Sequence, residues 1–363
     1  MDKREFLKIS AVGGLATLAN AALPEQGKAQ NPISNSFAPG FYMWTNPDRR
    51  EEIKDIRARY RNLVSNGMRG IFFESDSPNH YQIAKEVGMQ AHRWMWTINR
   101  GEKSLLESHP EWYAINRKGV SCAEDPPYVG YYRWLCPTKE EVKNYLLERS
   151  EEILDKDYVD GLHLDYVRYC DVILAVNLWQ QYGITQQQEL PEYDYCYCDD
   201  CRQAYERQWG KDPMDFPYPG QMDSWRKFRY DSITRIVEAI AELTRSKQKP
   251  ISAAVFPTPE IARRLVRQDW TNWPLDAVFP MIYHGFYQEP PEWIGMAAQD
   301  GLRVLQGKYP MYAGIYLPDF NNTAEIETGI QSALETDVRG ISIFGHINDD
   351  VLALVSKYKD RFD

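Results

Sequence analysis

Eight short apolar stretches alternate with longer segments of helical periodicity, and this alternation constrains the fold more than any other feature of the sequence. The strand candidates are GFYMWT (residues 40–45), GIFFES (70–75), QAHRWMWTI (90–98), GLHLDYV (161–167), ISAAVF (251–256), AVFPMIY (277–283), MYAGIYL (311–317) and GISIFG (340–345). The segments between them, such as PTKEEVKNYLLERSEEILDK, place apolar residues at i, i+3 and i+4. Strands that alternate with helices pair in parallel through right-handed crossovers.

Eight parallel strands predict a protein of the α/β class with a (β/α)8 TIM barrel, formed by a single domain over residues 40–363. A doubly wound open sheet is the alternative, but no Gly-rich phosphate loop follows the first strand, so its usual nucleotide site is missing. Long segments follow strand 3 (residues 100–135) and strand 4 (residues 170–220). In barrels, the loops at this end of the strands form the active site.

The first thirty residues differ in composition from the rest of the chain. The basic stretch MDKREFLKIS precedes the short apolar stretch AVGGLATLANAAL, and small residues that suit a cleavage site follow. This pattern predicts an export signal over residues 1–30, with an amphipathic helix as the alternative, because the apolar stretch is too short to span a bilayer. KREFLK resembles a twin-arginine signal in which Lys3 replaces the first arginine. We expect an exported protein, periplasmic or extracellular and not integral to the membrane, with a linker over residues 31–39.

The composition favours a carbohydrate partner over a nucleic acid. Aromatic residues form 13% of the chain, with 11 Trp and 24 Tyr, and such rings stack on the apolar faces of sugars. The formal net charge is −10, and no basic stripe interrupts it. Phosphate binding needs clustered Lys and Arg, so nucleic acid is excluded as an expected partner, and an oligo- or polysaccharide is expected instead.

The segment DGLHLDYVRY, residues 160–169, places an acidic side chain within an apolar strand. His163 and Asp165 lie two positions apart, so alternation along the strand points both to the same face. Asp165 falls near the C-terminal end of strand 4, where barrel enzymes carry catalytic groups, and His163 lies one layer deeper. Arg168 would either keep Asp165 ionised or bind a substrate hydroxyl. The alternative is a buried Asp165–Arg168 ion pair that only stabilises the barrel.

Hydrolysis of a glycosidic bond generally needs two carboxyl groups that flank the bond. With Asp165 as nucleophile or base, the second group must come from another strand end. Glu74, at the end of strand 2, is our candidate for the acid. Asp76, Glu260 and Asp319 also follow strands, and each of these acids has the alternative interpretation of a solvated loop residue.

Other strand ends carry aromatic and histidine side chains that suit a sugar site. Aromatic rings would stack on pyranose faces, while the histidines would reach hydroxyl groups. Some of these side chains would instead fill the barrel, because alternate residues of each strand point inward. The candidates for substrate binding are Trp44, Trp94, Trp96, Tyr283, His284, Tyr316 and His346, together with His163 and Arg168.

The stretch YCYCDDCRQAY contains Cys196, Cys198 and Cys201. Thiols this close in sequence strain a disulfide but wrap readily round one tetrahedral ion. Cys136, just before a helix, is our candidate for the fourth ligand, with Cys122 and Cys170 as alternatives. Four cysteines leave no open coordination position, so we predict a structural zinc and no catalytic cofactor. Disulfides are the competing interpretation for an exported protein.

Several stretches together resemble the glycosyl-hydrolase-like family 10 proteins. They are HPEWYAINRKG, YRWLCPTKEEVKNYLLERSEEILDKDYVDGLHLDYVRY, ISAAVFP, VRQDWTNW and AVFPMIYH, in this order, within residues 38–350. The resemblance implies a (β/α)8 protein that acts on polysaccharides, with Asp165 at the position of the family's strand 4 aspartate. The motifs Gln268–Trp270 and Pro280–Tyr283 match the family as well.

A second resemblance concerns the cysteines. LCPT followed by CYCDDC is similar to the zinc cluster of family 42 β-galactosidases, which supports Cys136 as fourth ligand. Those enzymes carry an Asn-Glu pair at the end of strand 4, and this chain has LDYV there, so β-galactosidase activity is not implied. The chain also lacks the terminal glutamate of chitinase-like family 18 enzymes, which argues against substrate-assisted hydrolysis of N-acetyl sugars.

Three functional hypotheses follow from the sequence. The first is a glycoside hydrolase that cleaves a poly- or oligosaccharide through Asp165 and Glu74. The second is a carbohydrate-binding barrel without catalysis, in which the second carboxylate is missing. The third is a sugar lyase or isomerase that uses His163 or His284 as the base.

Overall fold

The computed structural model describes residues 36–362, in which strands and helices alternate. The strands are β1 (Gly40–Thr45), β2 (Met68–Phe73), β3 (Gln90–Trp96), β4 (Gly161–Asp165), β5 (Ile251–Val255), β6 (Ala277–Pro280), β7 (Tyr312–Tyr316) and β8 (Gly340–Phe344). The helices are α1 (Ile53–Ser65), α2 (Pro78–Glu86), α3 (Lys103–Ser108), α4 (Glu140–Leu154), α5 (Trp179–Tyr182), α6 (Asp199–Trp209), α7 (Asp223–Ser246), α8 (Pro259–Val266), α9 (Trp293–Leu305), α10 (Thr323–Leu334) and α11 (Asp349–Tyr358).

The eight strands form one parallel sheet in the order β6-β5-β4-β3-β2-β1-β8-β7. Parallel bridges from Val278 to Met311 and from Met281 to Gly314 connect β6 to β7. The sheet is therefore a nearly closed barrel with helices outside, and the prediction of a (β/α)8 TIM barrel is confirmed. The predicted export signal, residues 1–30, lies outside the described residues.

Four strands have ends that differ from the predicted ones by two residues or more. β4 stops at Asp165 because Tyr166 has a left-handed backbone with φ of 48°, which cannot continue a strand. β3 and β6 also stop early, at Trp96 and Pro280, and β2 is displaced by two residues toward the N-terminus. As a result, Asp165 is the last residue of its strand and Glu74 follows the last residue of β2.

Large rings fill the lower part of the barrel. Phe279 and Tyr312 stack with their centroids 4.6 Å apart, and Phe72 stacks on His163 at 3.8 Å. Phe37, within the predicted linker, is buried and stacks on His92 at 4.7 Å. These contacts close the base of the barrel, so open space remains at the C-terminal ends of the strands.

Two long segments cover that end of the barrel. One connects β3 to α4 over residues 97–139, and the other, the β4 insertion, covers residues 166–222 and contains α5 and α6. Both correspond to the long loops predicted from the sequence. Within residues 36–362, no helix combines the length and the apolar character needed to cross a bilayer.

Candidate active site

A cavity of about 330 Å³ opens at the C-terminal ends of the strands. Its wall is mainly aromatic, and its charged residues are Asp165, Arg168 and Asp171. Concave apolar sites with a few polar groups are where proteins bind small ligands. The aromatic residues on the wall are Trp44, Trp94, Trp96, Tyr131, Tyr132, Tyr166, Phe256, Tyr283, Phe286, Tyr287, Tyr316 and Phe344.

Asp165 lies on the cavity wall with only 7% of its surface exposed. One carboxylate oxygen, Oδ2, accepts a hydrogen bond from Trp94 Nε1 at 2.9 Å, and Oδ1 accepts one from the Tyr166 amide at 2.6 Å. Burial raises the pKa of the Asp165 carboxyl, while both hydrogen bonds oppose this rise. The group is therefore oriented by the protein yet accessible from the cavity.

Tyr166 connects the strand to the insertion in a strained conformation. A positive φ at a bulky residue costs free energy, and such strain concentrates at functional sites. The conformation aims the Tyr166 amide at Asp165, and its ring packs on Trp96 with a centroid distance of 4.6 Å. One residue thus fixes both the acid and part of the aromatic wall.

Arg168 does not form an ion pair with Asp165. Its Nη1 lies 2.9 Å from Asp171 Oδ2 and also donates to the Tyr169 carbonyl oxygen at 2.9 Å. The guanidinium packs over the rings of Trp134 and Phe256, at 4.7 and 4.9 Å. The alternative interpretation, a buried Asp165–Arg168 ion pair, is therefore wrong, because Arg168 is paired with Asp171 instead. Arg168 lowers the pKa of Asp165 only through its distant charge.

His163 lies beneath the cavity and is fully buried. Its Nε2 accepts a hydrogen bond from Trp44 Nε1 at 2.9 Å, so the ring proton is on Nδ1, which lies 2.8 Å from Ser252 Oγ. Both ring nitrogens are occupied by the protein. The structure therefore gives His163 a role in the barrel interior and places no ring nitrogen of it on the cavity wall.

Glu74 lies beside the site but not on the cavity wall. Phe73 pairs with Arg93 in the β2–β3 ladder, so the next position, Glu74, falls alongside Trp94. Burial raises the pKa of Glu74, Arg93 opposes the rise, and Glu74 itself raises the pKa of Asp165 through charge repulsion. Within residues 36–362, the Glu74 carboxyl has no hydrogen bond or ion pair.

The other acids suggested by the sequence lie away from the cavity wall. Asp76 forms ion pairs with Lys156 and Arg93, and Glu260 is exposed in the first turn of α8. Asp319 accepts a hydrogen bond from the Gly285 amide at 3.1 Å, and burial raises its pKa to about 6. Asp319 is therefore a second half-buried acid at the barrel mouth.

The predicted sugar-binding residues separate into two groups. Trp44, Trp96, Tyr283 and Tyr316 line the cavity, as does Trp94. The two remaining histidines do not: His284 is buried against Phe320 with Nδ1 unpartnered within residues 36–362, and His346 is exposed beyond β8.

The cavity residues that come from the long segments were not predicted from the sequence. Tyr131 and Tyr132 come from the segment after β3, and Asp171 and Leu174 come from the β4 insertion. The lengths of these segments predicted that they build the site. Which residues reach the cavity depends on a loop conformation that has no periodic signal.

The four predicted cysteine ligands lie together. The sulfur atoms of Cys136, Cys196, Cys198 and Cys201 lie within 4.8 Å of one another, and all four residues are buried. Cys136 Sγ is 3.5 Å from the sulfurs of Cys198 and Cys201, close to the roughly 3.8 Å separation expected for ligands on a tetrahedral zinc. Hydrogen bonds from the other three thiols lower the pKa of Cys198, whereas burial raises that of Cys196 and the Cys136 hydrogen bond raises that of Cys201.

No cysteine among residues 36–362 forms a disulfide. The two alternatives for the fourth ligand, Cys122 and Cys170, are buried outside the cluster, and Cys122 exchanges hydrogen bonds of 3.2 Å with the Trp134 backbone. The residues present therefore fit a four-thiolate metal site that links the β4 insertion to the start of α4.

The model of the family described as Glycosyl hydrolase-like 10 matches residues 80–299, whereas no curated protein sequence matches the chain. Among solved structures, the PgaB (BpsB) glycoside hydrolase domain from Bordetella bronchiseptica is similar with a TM-score of 0.65 and 10% identity, over 90% of this chain and 99% of that chain. A β-galactosidase from the Antarctic haloarchaeon Halorubrum lacusprofundi is similar with a TM-score of 0.61 and 14% identity, over 89% of this chain and 58% of that chain. The catalytic domain of β-amylase from Paenibacillus polymyxa is similar with a TM-score of 0.57 and 12% identity, over 89% of this chain and 98% of that chain. These similarities concern the fold, and since the family model covers more than half of the sequence, this protein belongs to the glycosyl hydrolase-like 10 family.

Proposed function

We propose that this protein is a glycoside hydrolase that cleaves a poly- or oligosaccharide, with Asp165 as nucleophile or general base and Glu74 as general acid. The observation that carries the proposal is the position of Asp165. A buried carboxylate at the end of a barrel strand, facing an aromatic cavity, has the location that barrel enzymes use for catalysis. The cavity rings supply stacking surfaces for sugar faces.

The two carboxyl groups have different surroundings, which supports the assignment of their roles. Asp165 accepts two hydrogen bonds, and these favour its ionised form. Glu74 accepts none from residues 36–362, and burial raises its pKa. Burial raises the pKa of Asp165 too, and the charge of Glu74 raises it further, so the assignment depends on the two hydrogen bonds that favour the Asp165 carboxylate.

A carbohydrate-binding barrel without catalysis is the second candidate. The observation that favours it is the small number of carboxylates on the cavity wall. Among the described residues, only Asp165 and Asp171 place a carboxylate there, and Asp171 is paired with Arg168. A lyase or isomerase based on histidine has less support, because His163 has no free ring nitrogen and His284 does not line the cavity.

Release of reducing ends from a panel of polysaccharides tests the proposal. We expect Asp165→Asn and Glu74→Gln each to reduce hydrolysis by about 10³-fold, since each removes one half of the acid–base pair. Asp55→Asn, an exposed acid in the first turn of α1, is the matched control and should keep full activity. Binding of a glycan without hydrolysis by the wild type would favour the second candidate, and full activity of Asp165→Asn would remove Asp165 from the mechanism.

We also propose that the four-cysteine cluster holds a structural zinc. The donor set has no position for a substrate, so the ion would connect α4 to the insertion rather than take part in the reaction. Elemental analysis should find one zinc per chain. Paired thiols without metal would contradict the proposal.

The export prediction stays a prediction, because residues 1–30 lie outside the described residues. It is tested by producing the chain with and without these residues and measuring its amount in the periplasm and medium. Retention of the whole chain in the cytoplasm would contradict it.

A further inference from the structure

A second groove of about 710 Å³ lies beside the β4 insertion. Its wall is formed by residues 187–191, Met214 and residues 216–221, together with Ile173, Arg117, Arg226 and Arg264. The groove shares no lining residue with the aromatic cavity, so none of its residues takes part in the proposed hydrolysis.

The groove is positively charged in an acidic protein. Three guanidinium groups line it, opposed by the single carboxylate of Glu189, whereas the whole chain has a formal charge of −10. Glu189 Oε1 lies 2.6 Å from Arg267 Nη2, while Glu189 Oε2 is buried and has no hydrogen-bond partner among the described residues. Three arginines against one carboxylate leave the wall with a net positive charge, which attracts an anionic ligand.

None of these arginines has a close ion pair within residues 36–362. Arg264 is exposed and has no ion pair there. The nearest acid to Arg117 is Asp194, at 3.9 Å, and Asp194 is held more closely by Arg229 at 2.5 Å. Arg226 Nη2 donates to the Gln221 carbonyl oxygen at 2.6 Å, and the nearest acid to Arg226 is the fully exposed Asp223, at 3.8 Å.

Two of the guanidinium groups also keep a buried donor without a partner. Arg117 Nε and Arg226 Nε are inaccessible to solvent and donate to no group among the described residues. Buried donors are normally satisfied, so donors left open on a groove wall point to a ligand that accepts hydrogen bonds. A carboxylate accepts two parallel N–H bonds from one guanidinium.

The uncharged part of the groove suits a sugar chain. Tyr218 is 67% exposed, an unusual exposure for so large a ring, and Phe216 lies on the same wall. Both rings offer apolar faces for stacking. The side-chain amides of Gln187, Gln188 and Gln221 can bind hydroxyl groups from the same wall.

The groove adjoins the aromatic cavity through one stretch of the β4 insertion. Ile173 lines the groove, and the next residues, Leu174 and Ala175, line the cavity. A polymer that leaves the cavity needs to cross only this stretch to enter the groove.

We propose that the groove is a distal subsite for a polysaccharide that carries carboxylate groups, that is, one containing uronic acids. The inference rests on the proposed function in naming the class of polymer that the cavity would receive. The three arginines bind the carboxylates, the rings stack on the sugars, and the aromatic cavity holds the residues next to the bond that is cleaved.

Binding is measured by calorimetry on the full chain carrying Asp165→Asn, so that no hydrolysis interferes. The probes are polygalacturonate, alginate and hyaluronate, with dextran as neutral polymer and dextran sulfate as non-carboxylate polyanion. We expect at least one carboxylated polymer to bind, with affinity that falls as salt rises, and dextran to bind much more weakly. Arg226→Gln and Arg264→Gln should each weaken binding by about tenfold, because each removes one charge-assisted interaction.

Two further variants separate a sugar subsite from a simple charge effect. Tyr218→Ala, at an exposed position where folding is not at risk, should weaken binding by about tenfold without changing the salt dependence. Arg303→Gln removes the same charge from an exposed arginine that does not line the groove and should bind like the parent.

Three results would overturn the inference: no carboxylated polymer binds, binding is unchanged in the Arg226 and Arg264 variants, or dextran sulfate binds more tightly with no dependence on Tyr218. Its failure is distinguishable from failure of the proposed hydrolysis. Arginine-dependent binding in a wild type that cleaves nothing would keep the subsite and remove the enzyme. Hydrolysis of neutral glycans with no polyanion binding would keep the enzyme and remove the subsite.

Discussion

The barrel interior and the β4 insertion are stabilised by different kinds of contact. In the interior, neutral rings stack and one hydrogen-bonded series joins Trp44, His163 and Ser252. The insertion is instead joined to α7 by a buried ion pair between Asp194 and Arg229, and to the start of α4 by the cluster of four thiols. The floor of the site therefore depends on close packing, whereas part of its wall depends on charge and on sulfur chemistry.

Both regions contribute residues to the same cavity. Asp165 lies at a strand end, at a position defined by its pairing with Trp96 in the β3–β4 ladder. The residues opposite it, such as Asp171 and Leu174, come from a segment with little regular structure. If this comparison is correct, disruption of the insertion should be costly and should act through its few specific contacts.

The largest effect is expected from loss of one cysteine ligand. Cys201→Ala should abolish zinc binding and lower the free energy of unfolding by more than about 5 kcal/mol, because metal binding to a closed thiolate site contributes directly to folding. Elemental analysis and urea unfolding measure both effects. Cys122→Ala deletes an equally buried thiol outside the cluster and should keep the metal. Equal losses in the two variants would show that packing, not metal, holds the insertion.

The next effect concerns the buried ion pair of the insertion. Asp194→Asn leaves the fully buried Arg229 without its counter-charge and should lower the free energy of unfolding by about 3–5 kcal/mol. The exposed pair of Arg303 and Asp300 gives the control, since Asp300→Asn should cost less than about 1 kcal/mol in the same urea titration. A loss below 1 kcal/mol in Asp194→Asn would mean that the charges do not organise the insertion.

The barrel and the insertion also differ in how well the sequence predicts their structure. Strand and helix periodicity predicts the barrel because each strand repeats one physical requirement, an apolar face on a pleated surface. Asp165 was found at a strand end by the same reasoning. The end of β4 was misjudged by two residues, because Tyr166 and Val167 are good strand formers and only the left-handed backbone of Tyr166 stops the strand.

Contacts within the insertion were predicted only where few partners are chemically suitable for a side chain. Three cysteines in six residues, with Cys136 before a helix, identified the cluster because few arrangements of thiols suit an ion. The partner of Arg168 was not predicted, since any nearby carboxylate satisfies an arginine and the loop conformation selects Asp171. The same limitation applies to Tyr131 and Tyr132, whose approach to the cavity no spacing rule describes.

The barrel interior should respond to acid through its buried histidines. His92 is fully buried, and burial lowers its pKa from 6.5 to about 4, so the folded protein keeps it neutral while the unfolded chain binds a proton below pH 6.5. The stability it contributes is complete above pH 6.5 and is lost as pH falls toward 4. Between pH 6.5 and 5 the loss should be about 2 kcal/mol.

Urea unfolding at pH 7, 6 and 5 measures this loss. We expect His92→Leu to unfold with a shallower pH dependence, by about one proton, than the wild type. Phe41→Leu, which changes a buried ring without an ionisable group, should leave the dependence unchanged. An identical slope in all three proteins would show that His92 is protonated in the folded state.

The smallest effect tests how the barrel supports the catalytic carboxylate. Trp94→Phe keeps the ring but removes the Nε1–H that donates to Asp165. Loss of this bond should raise the pKa of Asp165 further, so the ionised form appears only at higher pH. We expect the acid limb of kcat/KM to move upward by about one pH unit, since a hydrogen bond to a charged group contributes about 1.5 kcal/mol.

Trp96→Phe is the matched control for this change. Trp96 lines the same cavity, and its Nε1 has no hydrogen-bond partner within residues 36–362, so its loss should alter KM without moving the acid limb. A limb that moves equally in both variants would reflect altered packing of the aromatic wall. A limb that moves in neither would mean that ionisation of Asp165 does not control the reaction, and the strand end would then position a binding group rather than a catalytic one.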